Sequence, residues 1–173
     1  MRLVEVQESV DIPGVEIPKE LYWVLNSPAP LAGMKYPRTA FPWSSIKTAG
    51  FSHVVSLEPG SFDPNPLTIA FCEQLEDLVT GGPPRNEERE REKIKKAVAA
   101  TIGALRSGQG VVLHCFGGRG RTGTVIGCAL RELGFDAREI VAFLDRVHKL
   151  RGKSGWPEST WQGSLVHAWK PDA

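Results

Sequence analysis

Residues 114–123 read HCFGGRGRTG, and each part of that string has a use at a phosphate site. A short apolar run, GVVLH at 110–114, precedes it and a mostly apolar helix from Thr122 to Leu133 follows. The loop therefore sits where a strand hands over to a helix. Backbone N–H groups there converge on an anion, and the helix dipole favours negative charge. Gly117, Gly118 and Gly120 allow the backbone a close approach, with Phe116 and Arg119 supplying the remaining amides. Arg121, six residues after Cys115, offers a planar two-pronged fork to phosphate oxygens. The same cation and helix end favour the thiolate of Cys115, which makes it a candidate nucleophile. Thr122 can donate its hydroxyl to that sulfur, and His114 can fix the loop through its ring nitrogens. The nucleotide-binding pattern G-x-x-x-x-G-K-[ST] is absent.

The elements that must position this loop are legible to different degrees. Residues 21–25 and 30–34 read as short strands, 43–49 as a short helix, and 51–57 as a buried strand ending at the Pro59-Gly60 turn. Residues 59–66 and 80–86 read as loops. From Asn86, helical spacing of Ile94, Val98, Ile102 and Leu105 predicts an amphipathic helix of about five turns. Its charged run, NEEREREKIKK, reads as a solvated face. Asp136 with Glu139, and Ser159 with Gln162, are candidate capping boxes for two further helices. The order predicts an α/β fold with helices gathered toward the C-terminus.

With H-C-x-x-G-x-G-R-T-G and this order in view, the chain resembles the cysteine-dependent protein tyrosine phosphatase superfamily, in its compact dual-specificity branch. The resemblance spans most of the chain and includes LAGMKYP at 31–37. It implies a central, mostly parallel sheet flanked by helices, with the phosphatase loop between the central strand and a helix. It also favours a strand over the ambiguous residues 69–76. An upstream general acid is implied, and Asp77, before a Gly-Pro loop and 38 residues ahead of Cys115, holds the matching place. Glu76 and Asp63 are the rival carboxylates. Gln162 lies where such enzymes often orient the hydrolytic water, although its capping-box reading is equally good.

Composition sets the outer bounds. The chain has 173 residues and a net charge of +1, with 41% apolar and 24% charged residues, as expected of one globular domain over 1–173. The weak charge argues against general nucleic-acid binding. Residues 114–153 nevertheless carry 8 basic and 4 acidic side chains, which suits an anionic substrate. No run approaches the ~18 apolar residues of a membrane span, and the first ten residues lack a secretory segment, so a cytoplasmic protein is expected. The three cysteines, 72, 115 and 128, show no metal-ligand spacing, and no metal or cofactor is called for. Cys72 is the better candidate to rescue an oxidised Cys115, against the plainer reading of Cys72 and Cys128 as inert, buried thiols.

The predicted activity is hydrolysis of phosphate monoesters through a phosphocysteine, on phosphoproteins first. Arg119, as a second cation at the rim, keeps a phosphoinositide substrate open. A phosphate-binding module without catalysis and a rhodanese-like sulfur carrier are the competing classes; an intact Cys115, Arg121 and Asp77 argue against the first, and the Arg-Thr-Gly ending against the second.

Overall fold

A computed structural model of the chain describes residues 1–10 and 20–171. Five strands form one sheet: β1 (Leu21–Leu25), β2 (Leu31–Met34), β3 (Phe51–Ser56), β4 (Thr68–Cys72) and β5 (Gly110–His114). Their spatial order is β1-β2-β5-β3-β4; β1 pairs antiparallel with β2 and every other pairing is parallel. β5 is thus the central strand. All five of its residues are buried, as a parallel strand covered on both faces requires.

Alternation along the strands splits the core in two. Val111 and Leu113 of β5 face one cluster, built with α3 (Glu87–Arg106), α4 (Gly120–Glu132), α5 (Ala137–Leu150) and α6 (Thr160–Ala168). Val112 faces the opposite cluster, with Met34, Phe51 and Val54 and the short helix α2 (Trp43–Thr48). A five-residue turn of helix, α1 (Val6–Val10), carries no sequence signal strong enough to predict it. Ser9 anchors it by donating to the carbonyl of Trp23 at 2.6 Å.

Of the two expected capping boxes, the one at Ser159 closes, and Asp136 acts as a simple N-cap. Asn86 accepts from the N–H of Arg89, Asp136 accepts from the N–H groups of Arg138 and Glu139, and Ser159 with Gln162 closes a reciprocal capping box. Two boundaries differ. The strand expected over 69–76 is regular only to Cys72, because β4 is an exposed edge and the next residues are gripped by α3 instead. Glu90 accepts from the N–H of Glu76 at 3.0 Å, and Lys93 donates to the carbonyl of Gln74 at 2.9 Å. The helix expected from Thr122 starts two residues earlier, at Gly120. Arg121 and Thr122 therefore belong to its first turn.

Gly33 on β2 makes room for the fully buried ring of Tyr22, since a Cβ there would overlap the end of the phenol. Gly33→Ala is expected to destabilise the fold by about 1–3 kcal/mol, the usual scale of core overpacking. A denaturant midpoint equal to wild type would contradict that packing.

Candidate active site

The loop from Cys115 to Arg119 joins β5 to α4. Three of its carbonyls are held by the scaffold around it. The N–H of Tyr36 donates to Phe116 O at 2.8 Å, the hydroxyl of Tyr22 donates to Gly118 O at 2.8 Å, and Arg151 Nη2 approaches Gly117 O at 3.5 Å. In a trans peptide the N–H points opposite to the C=O. Holding these carbonyls outward therefore turns the amides of Gly117, Gly118 and Arg119 the other way. Among the described residues, no backbone N–H from Phe116 to Thr122 donates to a protein acceptor. No side chain caps the N-terminus of α4 either. Such a run of free donors is a cradle for an anion. Gly118 makes it possible: its φ is +71°, and a Cβ would strike the backbone of Met34 and Lys35.

Cys115 lies at the base of the cradle, 2% exposed, and Arg121 at its side, 5% exposed. The guanidinium is oriented by three groups. Nη1 donates to the carboxylate of Glu58 and to the carbonyl of Leu75 at 3.3 Å, and Nη2 lies 3.5 Å from Asp77 Oδ2. Burial opposes its charge, but the Cys115 thiolate and these carboxylates outweigh it and hold Arg121 above its usual value. Asp77 is half exposed, and its other oxygen accepts from the N–H of Val79. The rival carboxylates are engaged elsewhere: Glu76 accepts from the N–H of Arg85, and Asp63 from that of Asn65. Of the three acids singled out in sequence, Asp77 is the one brought to Arg121.

Glu58 was not legible as a site residue. Its only signal is position, two residues beyond a parallel strand next to β5, on the edge where parallel sheets place their ligand sites. Glu58→Ala should leave Arg121 less well aimed and lower kcat/KM for an aryl phosphate about tenfold, the scale of one charge-assisted hydrogen bond. The loss should fall mainly on KM, with weaker inhibition by inorganic phosphate; an unchanged KM would contradict the role.

A second buried cation lies behind the loop. Arg151, 5% exposed, has its guanidinium carbon 4.7 Å from the centre of the Tyr22 ring and meets His148 Nδ1 at 2.9 Å. Burial holds Arg151 below its usual value and pushes the Tyr22 hydroxyl far up. In sequence Arg151 is one more basic residue at a helix end, with nothing to mark it.

His114 is fully buried, with Nδ1 3.1 Å from the carbonyl of Cys115 and its ring against the edges of Tyr36 and Phe62. Burial pushes it down to about 4 from 6.5, and burial together with Arg151 pushes His148 down to about 2. Both are neutral in the fold at pH values where the unfolded chain already takes up protons. Their stabilisation is whole above pH 6.5 and is lost as pH falls toward those values. Between pH 6.5 and about 5 the expected loss is about 2 kcal/mol per histidine. Denaturant unfolding across that range checks this; a flat profile would contradict it. Thr122 Oγ1 is also buried and has no protein partner.

Arg119 stands differently from its first reading, and Gln162 forms the capping box that was one of its two readings. Arg119 is no free cation at the rim: it is 19% exposed, donates to Gly155 O at 2.6 Å and sits 3.8 Å from Glu158. Gln162 spends its Oε1 on the N–H groups of Glu158 and Ser159, and its Nε2 lies beside Gly120 at the head of α4. Phe116, in contrast, is 72% exposed next to the nucleophile. Cys128 is buried, which pushes its thiol well up, whereas Cys72 is exposed rather than buried. Ser56 of β3 is in register with both Cys72 and His114, so one strand separates them. Two strand spacings amount to about 10 Å, beyond the ~7 Å between Cα atoms that a disulfide spans. The rescue of Cys115 by Cys72 is not available in this fold.

Among the described residues no group of three His, Cys, Asp or Glu side chains is arranged to hold a metal ion, and no helix is long and apolar enough to cross a membrane. The same fold occurs in the kinase associated phosphatase (17% identity, 88% of this chain and 94% of that one, TM-score 0.62). It occurs also in TpbA of P. aeruginosa in complex with pTyr (17% identity, 89% and 88% covered, TM-score 0.57) and in PTPMT1 in complex with PI(5)P (16% identity, 80% and 88% covered, TM-score 0.52). A family model, PTP-SAK, the Swiss Army Knife protein DSP-PTPase phosphatase domain, matches residues 18–154. With Cys115 seated in a cradle of free amides and that match covering most of its length, the chain belongs to the DSP-PTPase family and is a cysteine-based phosphatase.

Proposed function

We propose that residues 1–173 act as one metal-independent phosphatase domain that hydrolyses phosphate monoesters through a phosphocysteine on Cys115. The observation that carries this reading is the run of amides from Phe116 to Thr122, directly after Cys115, left without acceptors among the described residues. The Cys115 thiolate attacks phosphorus in line with the leaving oxygen. The amides of residues 116–121 and the fork of Arg121 hold the three equatorial oxygens as charge develops on them. Asp77 gives its proton to the leaving oxygen, so the S–P bond forms as the O–P bond breaks. The resulting carboxylate then takes a proton from water, which attacks the phosphocysteine and releases phosphate. Thr122 Oγ1 serves the sulfur as it leaves, His114 fixes the Cys115 carbonyl, and Gln162 Nε2 is the group left to steer the water.

Phosphoproteins are the favoured substrates, with aryl phosphates such as phosphotyrosine ahead of phosphoserine and phosphothreonine. Phe116 offers an apolar surface at the mouth, and Arg119, tied to Gly155 and Glu158, is not positioned to seat a second phosphate. That disfavours a phosphoinositide, the ligand named for one structural neighbour. The test is release of phosphate in EDTA from a phosphotyrosine peptide, a phosphoserine peptide and a soluble phosphoinositide. The phosphotyrosine peptide should be turned over with the highest kcat/KM; loss of all activity in EDTA, or preference for the inositide, would overturn the reading.

A further inference from the structure

Away from the phosphate loop, α3 and α6 enclose a trough of about 990 Å³. Its apolar lining comes chiefly from Val98 and Ile102 of α3, Leu165 and Trp161 of α6, and Trp169 just beyond it. Its rim is basic. Arg91 and Lys95 are paired along their own helix with Glu87 and Glu92. Lys96, Arg106 and Lys170 have no ion-pair partner among the described residues. The one acidic lining residue, Glu132, accepts from Trp169 Nε1 at 2.6 Å. The charged run at the start of α3 is solvated except at Glu90, which is buried and accepts from the N–H of Glu76, and its cations border an apolar floor.

We infer that this trough is a docking surface for an acidic segment of a partner protein that presents apolar side chains along one face. Two features select that occupant. Lys96 at the middle of α3, Arg106 at its C-terminal end and Lys170 just past α6 leave the rim with unpaired cations, so acidic side chains flanking the apolar ones would meet unpaired charge. The lined stretch of α3, from Arg91 to Arg106, is about 22 Å long at 1.5 Å per residue. A single small anion would leave most of that length open, whereas a helix of about four turns laid in the groove covers it. A lipid surface is flatter than a trough between two helices and would touch the rim without reaching the floor.

Gly103 supplies a clean way to block the site. It lines the trough on the exposed face of α3, and a Cβ there would meet nothing within 4 Å. Gly103→Trp fills the groove without disturbing the core, and Lys96→Glu with Arg106→Glu reverses the rim. Both variants should hydrolyse an aryl phosphate as wild type does, which confirms folding. The probe is a fluorescein-labelled peptide of about 16 residues, with leucines at i, i+4, i+7 and i+11, glutamates beside them, and alanines and glutamines elsewhere to favour the helix. Its control carries lysines in place of the glutamates. By fluorescence anisotropy the glutamate peptide should bind wild type, weaken with rising salt, and bind each variant at least about tenfold less tightly; the lysine peptide should not bind. Equal binding of the two peptides, no binding of the glutamate peptide, or affinity unchanged in both variants would overturn the proposal. So would retention on phosphatidylserine vesicles, lost on rim reversal, without peptide binding, because the surface would then be a membrane contact.

Discussion

Cys115→Ser is expected to lower aryl phosphate hydrolysis by about 10⁴-fold or more, the scale seen when a covalent nucleophile is removed from an otherwise intact site. Serine is nearly isosteric, and the cradle is built by carbonyls held from Tyr36, Tyr22 and Arg151, none of which the substitution touches. Phosphate binding should therefore survive. Inorganic phosphate binding within a few-fold of wild type, with turnover gone, separates a lost nucleophile from a collapsed loop. Residual activity within tenfold of wild type would mean that a group other than the Cys115 sulfur attacks phosphorus.

Asp77→Asn should lower kcat by about 10²–10³-fold for phenyl phosphate, whose leaving oxygen needs a proton. The fall should be much smaller for p-nitrophenyl phosphate, which leaves readily as an anion. Two carboxylates flank Arg121, and their surroundings differ. Glu58 is bonded directly to the guanidinium and only about a quarter exposed, so its carboxylate is committed to orienting Arg121. Asp77 stands 3.5 Å from the other guanidinium nitrogen, half exposed and on a loop. In the proposed mechanism, substrate phosphate takes Arg121, weakens that contact and frees Asp77 for the leaving oxygen. Equal losses for the two substrates, or a Glu58→Gln variant that discriminates between leaving groups as Asp77→Asn does, would reassign the acid.

The parts of this site that were legible in sequence are those whose chemistry is local. A strand, a glycine loop and a helix follow one another within 110–133, so Cys115, Arg121 and the orienting glycines are fixed by short-range geometry that residue order records. Caps at Asp136 and Ser159 are legible for the same reason. Glu58, Tyr22 and Arg151 were not, because each reaches the loop across the fold: Glu58 lies 63 residues from Arg121, and Tyr22 lies 96 from Gly118. Only the strand order β1-β2-β5-β3-β4 brings them there. Arg119 was misjudged by the same mechanism in reverse, since its partners Gly155 and Glu158 lie beyond α5 and neutralise a charge that looks free in sequence. The 69–76 strand was cut short by the side chains of Glu90 and Lys93, another contact between distant segments.

The account rests on a covalent bond between phosphorus and the Cys115 sulfur. The most direct measurement is acid quenching of the Asp77→Asn variant during turnover of p-nitrophenyl phosphate, followed by mass spectrometry of the peptide containing Cys115. The loss of Asp77 as the base for water should let the intermediate accumulate. The account predicts that this peptide gains the mass of one phosphoryl group, that the gain is discharged on chase with unlabelled buffer, and that Cys115→Ser shows none. Steady turnover with no phosphoryl mass on Cys115 at any quench time, together with transfer of phosphate directly to water, would contradict it.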